Sequence, residues 1–169
     1  MKPTPADFDY DLPPERIAQT PAEPRDASRL MVVHRDSGAI EHRLLRDIVE
    51  YIGPGDVLVV NDSRVRNARL FGEKATGGRV EILVLRPLTG GLWETLVSPG
   101  KRVPPGTRLF ISSELEAEVL ERTESGGRVV RFHCDAPLDD LLPRLGETPL
   151  PPYIHDRTSD PERYQTVYA

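Results

Sequence analysis

The sequence predicts an α/β segment followed by an all-β domain, a small six-stranded antiparallel β-barrel. Three observations carry this. A continuous apolar run, Val57 to Val60, follows a segment of helical period and a Gly53-Pro54-Gly55 stop. Six β-rich stretches then recur between residues 68 and 133, several of them parted by glycine pairs. Proline marks both ends: of 17 prolines, six fall in the first 24 residues and five between Pro137 and Pro152.

The elements follow in order. Asp11 to Ile17 opens a short helix, with Asp11 near the N-cap and prolines in the first turn. Arg29 to His34 holds Leu30, Met31, Val32 and Val33, a strand run. Asp36-Ser37-Gly38 turns it, and Ala39 to His42 returns as a hairpin. Leu44, Leu45, Ile48, Val49 and Ile52 recur with the spacing of an amphipathic helix. Asp56 to Val60 then reads as a strand buried on both faces of a sheet. The six further strands are Ala68–Ala75, Arg79–Arg86, Leu92–Ser98, Thr107–Ile111, Glu116–Arg122 and Arg128–His133. Val80, Ile82 and Val84 share one face; Trp93, Thr95 and Val97 share another. Unpaired edges invite aggregation, which favours closure into a barrel over a sandwich. Leu138 to Leu145 is a helix of one or two turns, with Pro143 inside it. Glu147 to Ile154 is extended. The proline-rich ends carry Phe8, Tyr10, Leu12, Ile17, Leu150, Tyr153 and Ile154, so they pack rather than hang free.

Composition bounds the function. Hydrophobic residues are 38% and charged residues 29% of the 169 positions, which excludes a membrane protein and a fully disordered chain. No apolar stretch approaches the roughly 18 residues of a bilayer span. A chain of this mass should expose about 8,000 Å² once folded. The start, Met1 to Tyr10, lacks the apolar region of a signal peptide. Cys134 is the single cysteine, which rules out an intramolecular disulfide and makes the cytoplasm the expected compartment. The net charge of −5 leaves RNA binding open, because binding depends on local patches. Bases cluster at Arg64, Arg66 and Arg69 and at Lys101-Arg102; acids cluster between Glu114 and Glu124.

Four segments can carry chemistry. Asn61-Asp62-Ser63-Arg64 leaves the C-terminal end of the buried run, where open α/β sheets bind ligands. Asn61 and Asp62 can hold a ribose diol, and Arg64 a carboxylate or phosphate. The same letters also spell a polar turn with Asp62 capping Arg64. Arg66 and Arg69 fit either phosphate contact or a solvated strand edge, and Lys101 and Arg102 form a rigid basic loop that fits an RNA backbone. Pro149 to Ile154 offers Tyr153 as a stacking plate or serves as a strap between domains. Arg163-Tyr164-Gln165-Thr166-Val167-Tyr168 can border a flat ligand, or supply half-buried strand tyrosines. His34, His42, His133 and His155 are scattered, so no metal site is expected. There is no phosphate-cradling glycine loop and no nucleophile elbow. Cys134 fits a small buried hydrophobe better than a nucleophile.

In register along nearly the whole chain, these strings resemble the S-adenosylmethionine:tRNA ribosyltransferase-isomerases of queuosine biosynthesis. The resemblance runs through Phe8 to Gln19, Ser28-Arg29-Leu30, Gly55 to Val65, Ala68-Arg69-Leu70, Gly77 to Leu83, Gly146 to Ile154, and Arg163 to Ala169. The family usually has threonine at Ser63, an aliphatic residue and proline at Arg66 and Asn67, and methionine at Thr148. It is also about twice as long, so the resemblance implies an N-terminal fragment.

For the fold, the resemblance implies part of a larger α/β domain, residues 1–64 and 149–169, with the barrel of residues 65–148 inserted into it. It implies transfer of the ribosyl group of S-adenosylmethionine to 7-aminomethyl-7-deazaguanine at the tRNA wobble position, giving epoxyqueuosine, adenine and methionine. The sulfonium is an electron sink that acidifies the neighbouring ribose carbon, and no metal is needed. Asp62 and Arg64 would be catalytic. Asn61, Ser63, Tyr153, Arg163, Tyr164, Gln165 and Tyr168 would bind substrate. Arg66, Arg69, Lys101 and Arg102 would touch RNA. The full-length family is expected to be monomeric and cytoplasmic, off the membrane; this chain, with an uncovered α/β face, is expected to self-associate. The rival expectation is a non-catalytic RNA-binding barrel.

Overall fold

Glycine pairs turn the chain back on itself three times between residues 74 and 128. Gly77-Gly78, Gly90-Gly91 and Gly126 all adopt positive φ, which their lack of a Cβ allows. The computed structural model describes residues 2–156 and 160–169. Residue 1 and residues 157–159, the latter inside the expected 149–169 segment, lie outside the described residues.

Those glycine turns join strands of a closed antiparallel barrel. Its members are β3 (Arg69–Lys74), β4 (Arg79–Pro87), β5 (Leu92–Ser98), β6 (Arg108–Ser112), β7 (Leu115–Arg122) and β8 (Arg128–His133). The order around the barrel is β3-β4-β5-β8-β7-β6. The sequence expectation holds strand for strand, with no end shifted by more than one residue. Val80, Ile82 and Val84 point inward as their alternation required, together with Leu70, Leu109, Leu115, Val119 and Val130. Fully burying each such side chain contributes about 1.5–3 kcal/mol.

Helix α1 (Leu138–Leu145) adds Leu138, Leu141 and Leu142 to this core. Asp139 and Asp140 in its first turn and Arg144 in its last suit the helix dipole. Past α1, Glu147 exchanges backbone hydrogen bonds with Arg69, at 2.8 and 3.1 Å. The two ends of the barrel unit are thereby fastened together. Contacts divide the chain into residues 1–64 with 151–169, and residues 65–150.

In the first unit, β1 (Arg29–Val33) and β2 (Ile40–Leu44) form the expected hairpin. Three expectations are corrected there. The amphipathic helix over 44–52 is a 3-10 segment, Leu45–Glu50. Gly53-Pro54-Gly55 stops it, and β-branched Ile48, Val49 and Ile52 disfavour a longer α-helix. The opening helix over 11–17 is a single 3-10 turn, Pro14–Arg16. The run Val57 to Val60 is not a buried strand: it pairs with no strand among the described residues, and Val57 and Val59 are 85% and 87% exposed. A strand needs neighbours for its backbone groups, and the hairpin pairs only with itself.

Surface area shows the same division. The chain exposes 12,533 Å², well above the expected value. Among the described residues, every buried hydrophobic one lies between Ala68 and Leu142, inside the barrel unit.

Candidate functional site

Asn61 to Arg64 meets the segment Asp160 to Tyr168 across a hundred residues of sequence. The Asn61 side chain accepts a hydrogen bond from the Ser63 amide at 2.8 Å, which closes a local turn. The Asn61 carbonyl accepts from the Thr166 hydroxyl at 2.9 Å. Arg64 forms an ion pair with Glu162 rather than with Asp62, so the expected local cap is replaced by a bond across the site. Asp62 itself is exposed and has no hydrogen bond or ion pair among the described residues.

Opposite Asn61, Asp160 starts a 3-10 turn, Pro161–Tyr164, by accepting from the Glu162 amide at 3.0 Å. The turn is then held from the N-terminal segment. The Arg25 guanidinium donates to the carbonyls of Gln165, Glu162 and Arg163 at 2.7, 3.0 and 3.0 Å. Arg163 answers in the other direction, donating to the Ala22 carbonyl at 2.7 Å and pairing with Glu23 at 2.8 Å. Gln165 is buried, and Tyr164 and Tyr168 are exposed. Gln19 clasps the next strap: its amide donates to the Tyr153 carbonyl at 3.0 Å and accepts from the His155 amide at 2.8 Å. This fixes the backbone on both sides of Ile154 while the Tyr153 ring stays exposed.

One unit therefore gathers Asn61, Asp62, Ser63, Arg64, Tyr153, Arg163, Tyr164, Gln165 and Tyr168. The clamp residues Gln19, Arg25 and Glu162 were not singled out as site residues from sequence. The available signal was polar side chains inside proline-rich stretches, where extended backbone leaves carbonyls needing donors.

The four expected RNA-contacting bases lie in the barrel unit. Arg66 pairs with Asp139. Arg69 lies 2.8 Å from Glu81 and donates to the Leu150 carbonyl at 3.0 Å, with 14% of its side chain exposed, so its guanidinium is engaged inside the unit. Lys101 and Arg102 are exposed in a 3-10 turn, Gly100–Arg102. Cys134 is half-buried, and desolvation pushes its thiol up, the opposite of an activated nucleophile. An open groove of about 330 Å³ lies against β3 and β6, lined in part by Lys74, Arg108 and Phe110 with Glu73 and Glu116.

A closed barrel in one unit and an arginine-clamped polar loop in the other define a two-unit protein, with a set of polar and aromatic groups gathered in the second. The family model for queuosine biosynthesis protein matches residues 5–169, and the chain belongs to that family. It is 58% identical over 97% of its length to S-adenosylmethionine:tRNA ribosyltransferase-isomerase of Symbiobacterium thermophilum, covering 49% of that protein. The protein of the same name from Moorella thermoacetica is 55% identical over 96% of the chain, with 48% of the relative covered. A crystal structure of S-adenosylmethionine tRNA ribosyltransferase from Thermotoga maritima shares 49% identity over 83% of this chain and 48% of that one, with a TM-score of 0.42. The chain spans about half the length of the curated relatives it matches.

Proposed function

We propose that this chain supplies part of the active site of an S-adenosylmethionine-dependent tRNA ribosyltransferase-isomerase. The substrates are S-adenosylmethionine and a tRNA bearing 7-aminomethyl-7-deazaguanine, in the cytoplasm. The product is epoxyqueuosine, with release of adenine and methionine. In this reading residues 1–64 and 149–169 belong to a larger α/β domain, and residues 65–148 are an inserted barrel. The reading is supported by the names of the close relatives, and the observation that carries it is the pair of links from Asn61 to Thr166 and from Arg64 to Glu162, which joins the loop holding Asp62 to the segment holding Tyr164 and Tyr168.

Each group has a chemical use there. Arg64 holds the Glu162 carboxylate and can exchange it for the methionine carboxylate, a pair of the same geometry. Asp62 is free to take a proton from, or hydrogen-bond, the ribose. Asn61 and Ser63 shape the turn that presents Asp62. The rings of Tyr153, Tyr164 and Tyr168 are exposed and offer stacking faces to adenine or the extruded base. Gln165 and Arg163 fix the backbone on which two of those rings stand.

The test is Asp62→Ala in a protein of the family's full length carrying this sequence. Transfer of ribose to the tRNA should fall by about 10²-fold or more, with an unchanged melting curve. Wild-type turnover would remove Asp62 from the site. Salt-dependent tRNA binding with no S-adenosylmethionine binding in that protein would favour the non-catalytic RNA-binding barrel instead.

A further inference from the structure

Arg128 is the one buried arginine among the described residues, at 4% exposure, and it is held by carbonyl groups. Its Nη2 donates to the Gly100 carbonyl at 2.7 Å and its Nε to the Val103 carbonyl at 3.2 Å. Its Nη1 donates to the carbonyls of Gly127 and Gly126 at 2.8 and 3.1 Å. A single guanidinium thus ties the 100–103 loop to the β7–β8 turn. Burial first, and then the like charge of its cross-strand partner Arg122, push its guanidinium below the ordinary arginine value. Like charges placed opposite each other are destabilising. Lys74 adds a further tie, donating to the Arg102 carbonyl at 3.3 Å.

This wiring leaves the loop carbonyls bonded inward and the loop cations outward. Lys101, Arg102 and Arg122 are all exposed, while Glu121 beside Arg122, Glu124 in the β7–β8 turn and Glu73 beside Lys74 are the nearby acids in sequence. The loop's other exposed residues are Pro99, Pro104 and Pro105, with Gly106. It has no aromatic or long aliphatic side chain to enter a bilayer, so a polymer of phosphates in water is the better match than a lipid surface. Holding the loop backbone before binding lowers the ordering cost of each contact its cations make.

We propose that Lys101, Arg102 and Arg122 form a pre-organised contact surface for the RNA phosphate backbone, and that Arg128 is its positioning residue. This rests on the reading that the protein acts on RNA, and it goes beyond it by naming the surface and the internal pin that sets it.

The test uses the intact chain, fluorescein-labelled unfractionated tRNA and anisotropy between 50 and 200 mM KCl. Each phosphate contact contributes a slope of about −0.7 to −0.9 in log K against log salt. Lys101→Ala with Arg102→Ala should make the slope shallower by about 1.4–1.8. Arg128→Lys keeps the charge but cannot reach four carbonyls. It should fold, lose part of the same slope, and add nothing when combined with the double variant. A wild-type slope in the double variant overturns the surface. A wild-type slope in folded Arg128→Lys overturns the pin. Trypsin gives a readout that needs no variant: a pinned loop resists cleavage after Lys101 and Arg102, and rapid cutting there in the folded wild type overturns the pin. Equal binding to phosphatidylglycerol vesicles overturns the assignment to RNA. The slopes are independent of Asp62, so loss of the slope effect with Asp62-dependent transfer intact sinks this proposal alone. The reverse pattern sinks the enzyme reading alone.

Discussion

Gly146 has no room for a methyl group. A Cβ built there would lie 1.9 Å from the Asn67 carbonyl oxygen and 2.8 Å from that of Leu142. Both obstacles are backbone, so neither can rotate away. Its φ of −95° is open to any residue, and the demand for glycine is therefore purely one of packing. Gly146→Ala should cost about 3 kcal/mol or more, seen as a lower urea midpoint with an unchanged slope. A midpoint within error of wild type would mean that α1 and the Asn67 strand lead-in are not packed this closely. Beside it, the Thr148 hydroxyl donates to the Asn67 side chain at 2.9 Å. These are two of the positions where the resemblance leads to other residues being expected, proline at 67 and methionine at 148, and here one hydrogen bond links them. Their compatibility was illegible in sequence because 81 positions separate them. A double-mutant cycle, Asn67→Ala with Thr148→Val, should return a coupling of about 1 kcal/mol.

Elements differ in how much of their cause is local. The barrel strands were legible because turn glycines and two-residue alternation act within a dozen residues. The run Val57 to Val60 was misread because burial of a strand is a property of its neighbours, and composition alone cannot supply them. The Leu45–Glu50 segment kept its apolar spacing but not its α-helix. The candidate site was half legible: Asn61 to Arg64 and Arg163 to Tyr168 stood out by composition, whereas the Gln19 and Arg25 clamps that hold the Tyr153 strap and the Pro161–Tyr164 turn depend on contacts 134 to 140 residues long. A test at this scale is the tie between α1 and the β6–β7 turn. Arg144 donates to Glu114 at 2.7 Å and, with its second nitrogen, makes a charged pair. That hydrogen bond holds the Glu114 carboxyl below its ordinary 4.5. A depressed folded value means that the contribution is present above 4.5 and lost as pH falls through the folded value. The Tm gap between wild type and Glu114→Gln should therefore be open at pH 6, narrow below the ordinary value and close in stronger acid. It should also shrink with salt, since both partners are exposed. A gap that widens on acidification would contradict the pair.

At the scale of the molecule, burial is concentrated in one unit. Residues 65–150 hold every buried hydrophobic side chain among the described residues, a closed sheet without free edges, and both of its fastened ends. A polypeptide of residues 65–150 should melt cooperatively on its own, and a broad, non-cooperative melt would contradict that. The other unit has hydrogen bonds and clamps but, among the described residues, no buried apolar side chain. Val57 and Val59 stand 85% and 87% exposed, Val49 73% and Val167 68%. An extended apolar run with unpaired backbone groups is a template for another strand. The intact chain should therefore sediment with concentration-dependent mass at tens of micromolar, and Val57→Lys with Val59→Lys should return it to a monomer without touching the barrel's melting temperature. If the wild type is a clean monomer at every concentration, the run is already covered within the chain in solution. If the double lysine variant still associates, the contact lies on another surface.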